Sequence, residues 1–479
     1  MNFCESVLQG IGDDGGLLVP DFVLPSLNLN SLQGLGYAEL AAEVLSLFAP
    51  EMSREELLTA CTKAYASGAF PTEVVPVVKA GDVYVAELYH GPTAAFKDMA
   101  LQLLPYLMTL ALKQKENGEK ALILAATSGD TGKAALEGFH DVEGTLIKVF
   151  YPVDGVSAVQ RQQMTTQCGN NVEVVAIRGN FDDAQRAVKE AFASADLQDT
   201  CKCKGLFLSS ANSINIGRLA PQVVYYFHAY LQLVKRGVVK MGEKVNFVVP
   251  SGNFGNCLAG VMARSMGLPV ARFIVASNRN NVLTDFFTTG AYDVRRPFYK
   301  TNAPAMDILV SSNLERLLYM LCGDSDGVAE WMRQLKESKT YDVGDTMNGK
   351  LRDLFSADCL TEDEVLGTIS RWFGQCGYLA DTHTAVGLGV YERYRRTTGD
   401  VTPTVVLSTA SPYKFPASVC RAVTGETVTD EEAAVVLVKR TGIAVPDCLN
   451  DVMERPVLHR QVIDANRIVS FIKEGLTNL

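Results

Sequence analysis

From residue 121 to residue 276, short apolar runs alternate with stretches of helical periodicity, and this alternation constrains the fold more than any other feature of the sequence. Ala121–Ala126, Thr145–Tyr151, Val172–Ile177, Gly205–Ser209, Lys244–Val249 and Val270–Ala276 read as strands. Between them lie helical stretches at Lys133–His140, Ala158–Cys168, Asp183–Ala193, Arg218–Lys235 and Cys257–Met266. Strands repeatedly separated by helices pair in parallel through right-handed crossovers. Strands so continuously apolar belong in sheets covered on both faces. The expected fold class is α/β, with open, mostly parallel sheets flanked by helices.

The flanks read differently. Residues 1–82 are turn-rich around Asp14-Gly15-Gly16, then helical at Tyr37–Phe48 and Glu55–Ser67, and form an expected small N-terminal domain. Residues 83–425 hold the sheet pattern, with a helical insertion at about 310–375 and a returning strand at Thr404–Ser408. Residues 426–479 read as a peripheral helical segment. A chain of 479 residues with 47% hydrophobic residues can bury a large core without staples. Its net charge of −10, without blocks of like charge, argues against nucleic acid or anionic membrane as partners. Eleven scattered cysteines suit free thiols, and five dispersed histidines give no metal-ligand spacing. The start MNFCESVLQG lacks the features of a signal peptide, and Met99–Leu112 is too short and interrupted to span a membrane. A cytoplasmic location is expected.

Two strand-to-helix loops stand out, Ser128–Gly132 and Ser251–Asn256. Such loops line the ligand crevice of a parallel sheet, and the helix start adds free N–H groups and partial positive charge. Two of them in one cleft suit two anionic groups, such as a phosphate and a carboxylate. Gly252 and Gly255 permit close backbone approach, although a plain glycine-bearing turn gives the same string. Gly132-Lys133 does not complete a nucleoside-triphosphate loop, because Thr127 stands where glycine is needed and Ala134 where a hydroxyl is needed. Gly10, Gly12 and Gly15 match a dinucleotide fingerprint only by spacing, since no buried strand precedes them. Lys97 sits among small and apolar residues in Tyr89–Asp98. A desolvated amine is a nucleophile or base, and the alternative is a solvated lysine at a helix start.

Taken in order, HGPTAAFKDMALQ, ATSGDTGKAA, SSANSINIGRL, VPSGNFGNCLAG, APAMDILVSSNLERLL and STASPYKFP resemble the threonine synthase family, as do GDDGGLLVP and YAELAAEVLSLF near the start. The resemblance spans nearly the whole chain and is closest to the longer bacterial and fungal branch. It implies the fold of type II pyridoxal 5′-phosphate (PLP) enzymes and the conversion of O-phospho-L-homoserine and water to L-threonine and phosphate. Lys97 would be the Schiff-base lysine, and Gly252, Asn253, Phe254, Gly255 and Asn256 would hold the cofactor phosphate. Thr409 would meet the pyridine nitrogen, and Asp130 would stand near the cofactor hydroxyl, where many relatives carry asparagine. Thr127, Ser128 and Thr131 would receive the substrate carboxylate. Asn212 and Arg218, with Lys414 as a weaker candidate, would receive its phosphate, since an arginine fork donates two hydrogen bonds at once. Ser411 replaces a histidine common in bacterial relatives. His383 is placed either near the cleft or as a packed core histidine. The resemblance leaves a monomer or homodimer open, implies no metal, and keeps a related PLP lyase or a silent PLP-binding protein as alternatives.

Overall fold

The computed structural model describes residues 1–12, 14–115 and 118–477; Asp13 of the GDDGGLLVP string and Asn478 and Leu479 of the C-terminal segment lie outside the described residues. Two sheets carry the molecule. The larger runs in the order Val77–Ala80, Val83–Glu87, Thr404–Ser408, Val245–Pro250, Val270–Ser277, Phe355–Cys359. Its first pair is antiparallel and the other pairings are parallel. The smaller sheet is parallel throughout, in the order Val462–Asp464, Val172–Arg178, Thr145–Pro152, Lys120–Ala126, Leu206–Ser210. Every residue of Val245–Pro250 and Thr404–Ser408 is buried, as a strand covered by helices on both faces requires.

Three strands differ from the sequence expectation. Val77–Ala80, placed with the N-terminal domain, belongs to the larger sheet through its pairing with Val83–Glu87. Phe355–Cys359, inside the stretch read as a helical insertion, is the far edge of that sheet and pairs in parallel with Val270–Ser277. Val462–Asp464 adds an edge strand to the smaller sheet, so the C-terminal segment is not wholly helical. Both late strands are short edge strands with half-buried or exposed residues, which blurs the apolar signal that marks a central strand.

The N-terminal helices Phe3–Gln9 and Arg54–Tyr65 begin with capping boxes at Asn2 and Ser53, helix Tyr37–Ser46 begins with Glu39 accepting from Gly36 N–H at 2.8 Å, and the apolar faces of all three join the core that contains Ile123 and Phe247. Gly10, at φ 78°, ends the first of these helices, so the apparent dinucleotide spacing marks a helix stop. No helix among the described residues is long and apolar enough to cross a membrane. What positions the site is strand direction. Glu87, Ala126, Ser210, Pro250 and Ser408 are strand C-terminal ends, and the chain segments that follow each of them reach one cleft of about 1810 Å³.

Candidate active site

The segment carrying Lys97 is held by backbone bonds to the end of strand Thr404–Ser408. Phe96 N–H donates to the Thr409 carbonyl at 2.8 Å, and Ser411 N–H donates to the Ala94 carbonyl at 3.0 Å. Asp98, fully buried, accepts from Thr93 N–H at 2.8 Å and from the Thr93 hydroxyl at 2.7 Å, which winds the loop back on itself. A Cβ on Gly91 would fall 2.6 Å from the Asp98 side chain, so this turn excludes any larger residue. Lys97 lines the cleft with a side chain 11% exposed. Desolvation, the largest influence, and the repelling charges of Arg218 and Lys414 outweigh the attraction of Asp130, and the amine is pushed down to about 8. It is the desolvated lysine rather than the solvated one.

The helix Asp130–Phe139 starts three residues earlier than its apolar pattern suggests, so Asp130 and Thr131 form its first turn. Its N-cap Gly129, at φ 131°, supplies no side-chain cap. The Thr127 hydroxyl oxygen instead accepts from Gly129 N–H at 3.0 Å and Gly132 N–H at 2.8 Å and shapes the loop. Cβ atoms on Gly129 and Gly132 would lie 2.4 Å from Gln160 and Thr127, so both positions demand glycine. Thr127, Ser128 and Thr131 all line the cleft.

The second loop is pinned by its carbonyls. Gly252 O accepts from the Ser311 hydroxyl at 2.7 Å, and Asn253 O accepts from the backbone and side-chain N–H groups of Asn313, both at 3.1 Å. Phe254 takes a left-handed conformation, φ 62°, as the N-cap of helix Gly255–Ser265 and supplies no side-chain cap. Amides at a helix start have no intrahelical acceptor. Asn256 Oδ1 accepts from the hydroxyls of Tyr225 and Tyr226, while its Nδ2 is buried without a partner among the described residues. A Cβ on Gly252 would meet the Ala305 carbonyl at 3.0 Å.

Arg218 opens the buried helix Ile216–Lys235 and faces the same cleft. Its Nη1 donates to the Ala211 carbonyl at 3.0 Å; its Nε is buried with no partner among the described residues. Desolvation pushes its pKa down to about 10, which leaves it a cation at neutral pH. Asn212 and Thr409 also line the cleft.

Three of the residues singled out in the sequence do not line the cleft. Asp130 and Lys414 do not line the cleft; they lie behind Lys97, joined at 3.0 Å. Burial pushes the Asp130 carboxyl up, but the charges of Lys414 and Lys97 and the bonds from Gln160 and Lys414 prevail and hold it well below the usual carboxylate range. Ser411 is buried, and its hydroxyl caps the turn Pro412–Lys414. His383 satisfies both of its readings: it lines the cleft, yet it is 3% exposed, with Nδ1 2.9 Å from Asp381 and Nε2 accepting from Ala305 N–H at 3.1 Å. Accepting at Nε2 assigns the neutral tautomer with the proton on Nδ1. The sequence reading gave no role to Ser311, Asn313 or Asp307, though the string APAMDILVSSNLERLL contains all three. Asp307 lines the cleft and accepts from Thr301, Asn278 and Asn280.

Family comparisons cover nearly the whole chain. The model described as threonine synthase N terminus matches residues 1–65, pyridoxal-phosphate dependent enzyme matches 67–345, and threonine synthase, C-terminal matches 384–472. Threonine synthase of Pseudomonas aeruginosa is 41% identical over 433 residues, covering 89% of this chain and 88% of that protein. Threonine synthase-like 1 of Homo sapiens is 36% identical over 95% of this chain, which spans only 62% of that longer protein. The crystal structure of PLP-bound threonine synthase from Brucella melitensis superposes with a TM-score of 0.87 at 37% identity, covering 100% of this chain and 96% of that one.

Proposed function

The chain belongs to the threonine synthase family, and from that premise we propose that it converts O-phospho-L-homoserine and water to L-threonine and inorganic phosphate, with pyridoxal 5′-phosphate joined to Lys97. It is a PLP-dependent lyase. The observation that carries the substrate reading is convergence. An amine of lowered proton affinity, two helix starts whose N-cap residues supply no side-chain cap and a buried guanidinium whose Nε has no partner among the described residues share one cleft.

The residues present fit the cofactor. Gly252 leaves a backbone surface that a Cβ would fill, and Asn256 Nδ2 is an orphaned donor beside the amides of Gly252–Asn256, a donor set suited to a phosphate. Thr409 would meet the ring nitrogen with a neutral hydroxyl. Bound there, the cofactor supplies an electron sink that makes the substrate α-hydrogen acidic. The chain's own groups do the rest. The amides at the start of helix Asp130–Phe139, with Ser128 and Thr131, receive the carboxylate. Arg218 and Asn212 hold the phosphate and orient it for departure. Lys97, whose amine opens on the cleft, would act as the base and acid that moves protons at the substrate carbons. The acidic balance of the chain, −10, supports a small-molecule partner over nucleic acid or anionic membrane. For the assembly we propose a monomer or homodimer in the cytoplasm.

Cofactor-loaded protein incubated with O-phospho-L-homoserine is expected to release phosphate and threonine in equal amounts, and K97A to release neither. Release of phosphate with 2-oxobutyrate in place of threonine would assign the site to a related lyase instead.

A further inference from the structure

Lys414 is a buried ammonium that this reading leaves without a task. Its side chain is 0% exposed. Three acceptors from three elements surround it: the Thr93 carbonyl at 3.1 Å in the Lys97 segment, Gln163 Oε1 at 2.5 Å in helix Ala158–Thr165, and Asp130 Oδ1 at 3.0 Å in the first turn of helix Asp130–Phe139. An ammonium has three N–H donors, so none remains for a substrate phosphate. Asp130 Oδ1 also accepts from Gln160 Nε2 at 2.8 Å, and Asp130 Oδ2 lies 3.8 Å from Lys97 Nζ. One buried carboxylate therefore stands between two lysines.

The two lysines are not equivalent. Lys97 opens on the cleft and must lose its proton to attack an aldehyde or to accept a proton from substrate. When it does, its charge no longer balances Asp130. A buried carboxylate without a partner is strongly disfavoured and takes up a proton instead. Lys414, closed off from the cleft, stays in place as the remaining partner. We propose that Lys414 is a positioning residue: the permanent counter-ion of Asp130, which lets Lys97 become a neutral amine without stranding a buried carboxylate. This rests on Lys97 as the cofactor lysine, and it gives Lys414 a different task from the substrate-phosphate contact expected from the sequence. An arginine would not substitute, because its planar five-donor fork does not match three acceptors gathered around a point charge.

The charged groups facing Lys97 are Asp130, Arg218, Lys414 and Asp98; Lys414 is also faced by Asp98 and by the Cys448 thiol. Among the described residues, only Asp130 bonds one of the two lysines and sits within ion-pair distance of both. The test is competitive labelling of the full chain, freed of cofactor, with trace acetic anhydride across the neutral and alkaline range, reading the pH midpoint of Lys97 acetylation. The wild-type midpoint is expected near about 8. In K414M it is expected to rise by about two pH units, a hundredfold fall in free amine at fixed pH. In the D130N background the same K414M change is expected to move it far less, because no carboxylate is left to strand. D130N alone, which folds independently of any fate of K414M, is expected to lower the midpoint. An unmoved midpoint in either single variant overturns the proposal, as does a K414M shift of equal size with and without Asp130. A K414M protein with a normal midpoint but weakened inhibition by inorganic phosphate would return Lys414 to the phosphate site. Because the labelling uses neither cofactor nor substrate, its failure is distinct from a failure to make threonine.

Discussion

Replacing Arg218 with methionine separates binding from stability in a way few explanations other than a phosphate site would share. The guanidinium is 5% exposed and no carboxylate within ion-pair distance balances it among the described residues. Holding its pKa at about 10, against the model-compound value of 12.5, corresponds to about 3 kcal/mol of destabilisation of the charged form by desolvation. R218M removes that penalty and keeps much of the apolar stem. Against this stands the Ala211 carbonyl, which loses its donor at a cost of about 1–3 kcal/mol. The two effects nearly cancel, so the melting temperature of the ligand-free variant is expected to stay level or rise slightly. Catalysis is expected to collapse. The unpartnered Nε and the rest of the fork offer a phosphate two charge-assisted bonds of about 1.5–3 kcal/mol each, so kcat/KM is expected to fall by about a hundredfold to ten-thousandfold. Steady-state kinetics with O-phospho-L-homoserine, inhibition by inorganic phosphate and thermal melting provide the three readings. A variant that melts well below the wild type, or one that keeps phosphate inhibition intact, would refute the reasoning.

Three further outcomes follow from single atoms. G252A places a Cβ 3.0 Å from the Ala305 carbonyl, so the loop must shift, and a cofactor titration by absorbance is expected to show affinity weakened by about tenfold or more while the fold persists. Asp98, raised by burial to about 6 from 3.8, is penalised when ionised; its folded pKa lies above the unfolded one, so stability from this group is full below about pH 4 and falls, by about 3 kcal/mol, as pH rises through 6. Denaturant unfolding across that window is expected to show the fall in wild type and a flatter profile in D98N, and equal slopes would contradict it. H383L removes the acceptor of Ala305 N–H and leaves Asp381 without its imidazole partner, so it is expected to lower kcat with KM nearly unchanged, with H383Q recovering part of the loss because its carbonyl can accept the same bond.

How much of this was legible beforehand depended on burial. The central strands read correctly because both of their faces are covered, which makes them continuous apolar runs such as Val245–Pro250. Val77–Ala80 and Val462–Asp464 escaped because edge strands of three or four residues keep exposed positions: the first mixes buried and exposed residues, and the second has none buried. The two anion loops were visible as glycine strings between a strand and a helix. Their restraints were not. Nothing local in the sequence says that Ser311 and Asn313 hold the carbonyls of Gly252 and Asn253, nearly sixty residues away in the chain. Lys414 illustrates the same limit. A lysine near the cleft reads as a phosphate ligand, and only the positions of Thr93, Gln163 and Asp130 show that its three donors are already taken.

An anion site on a protein of net charge −10 requires that nearby carboxylates be silenced locally, and here that happens by pairing or by burial. Asp130 is matched by Lys414 from behind the cleft wall. Asp307, on the wall itself, is surrounded by donors from Thr301, Asn278 and Asn280, yet burial still outweighs them and raises its pKa, which favours the uncharged form. Glu315, also on the wall, accepts from Leu17 N–H and is likewise raised by burial. Asp130, Asp307 and Glu315 are thus either paired or biased toward neutrality, while Arg218 Nε and Asn256 Nδ2 keep unpaired donors among the described residues. Whole-molecule charge sets long-range steering and solubility. The affinity of the cleft is set by the few groups whose hydrogen bonds are left unmade, and among the described residues those are the donors of Arg218 and Asn256.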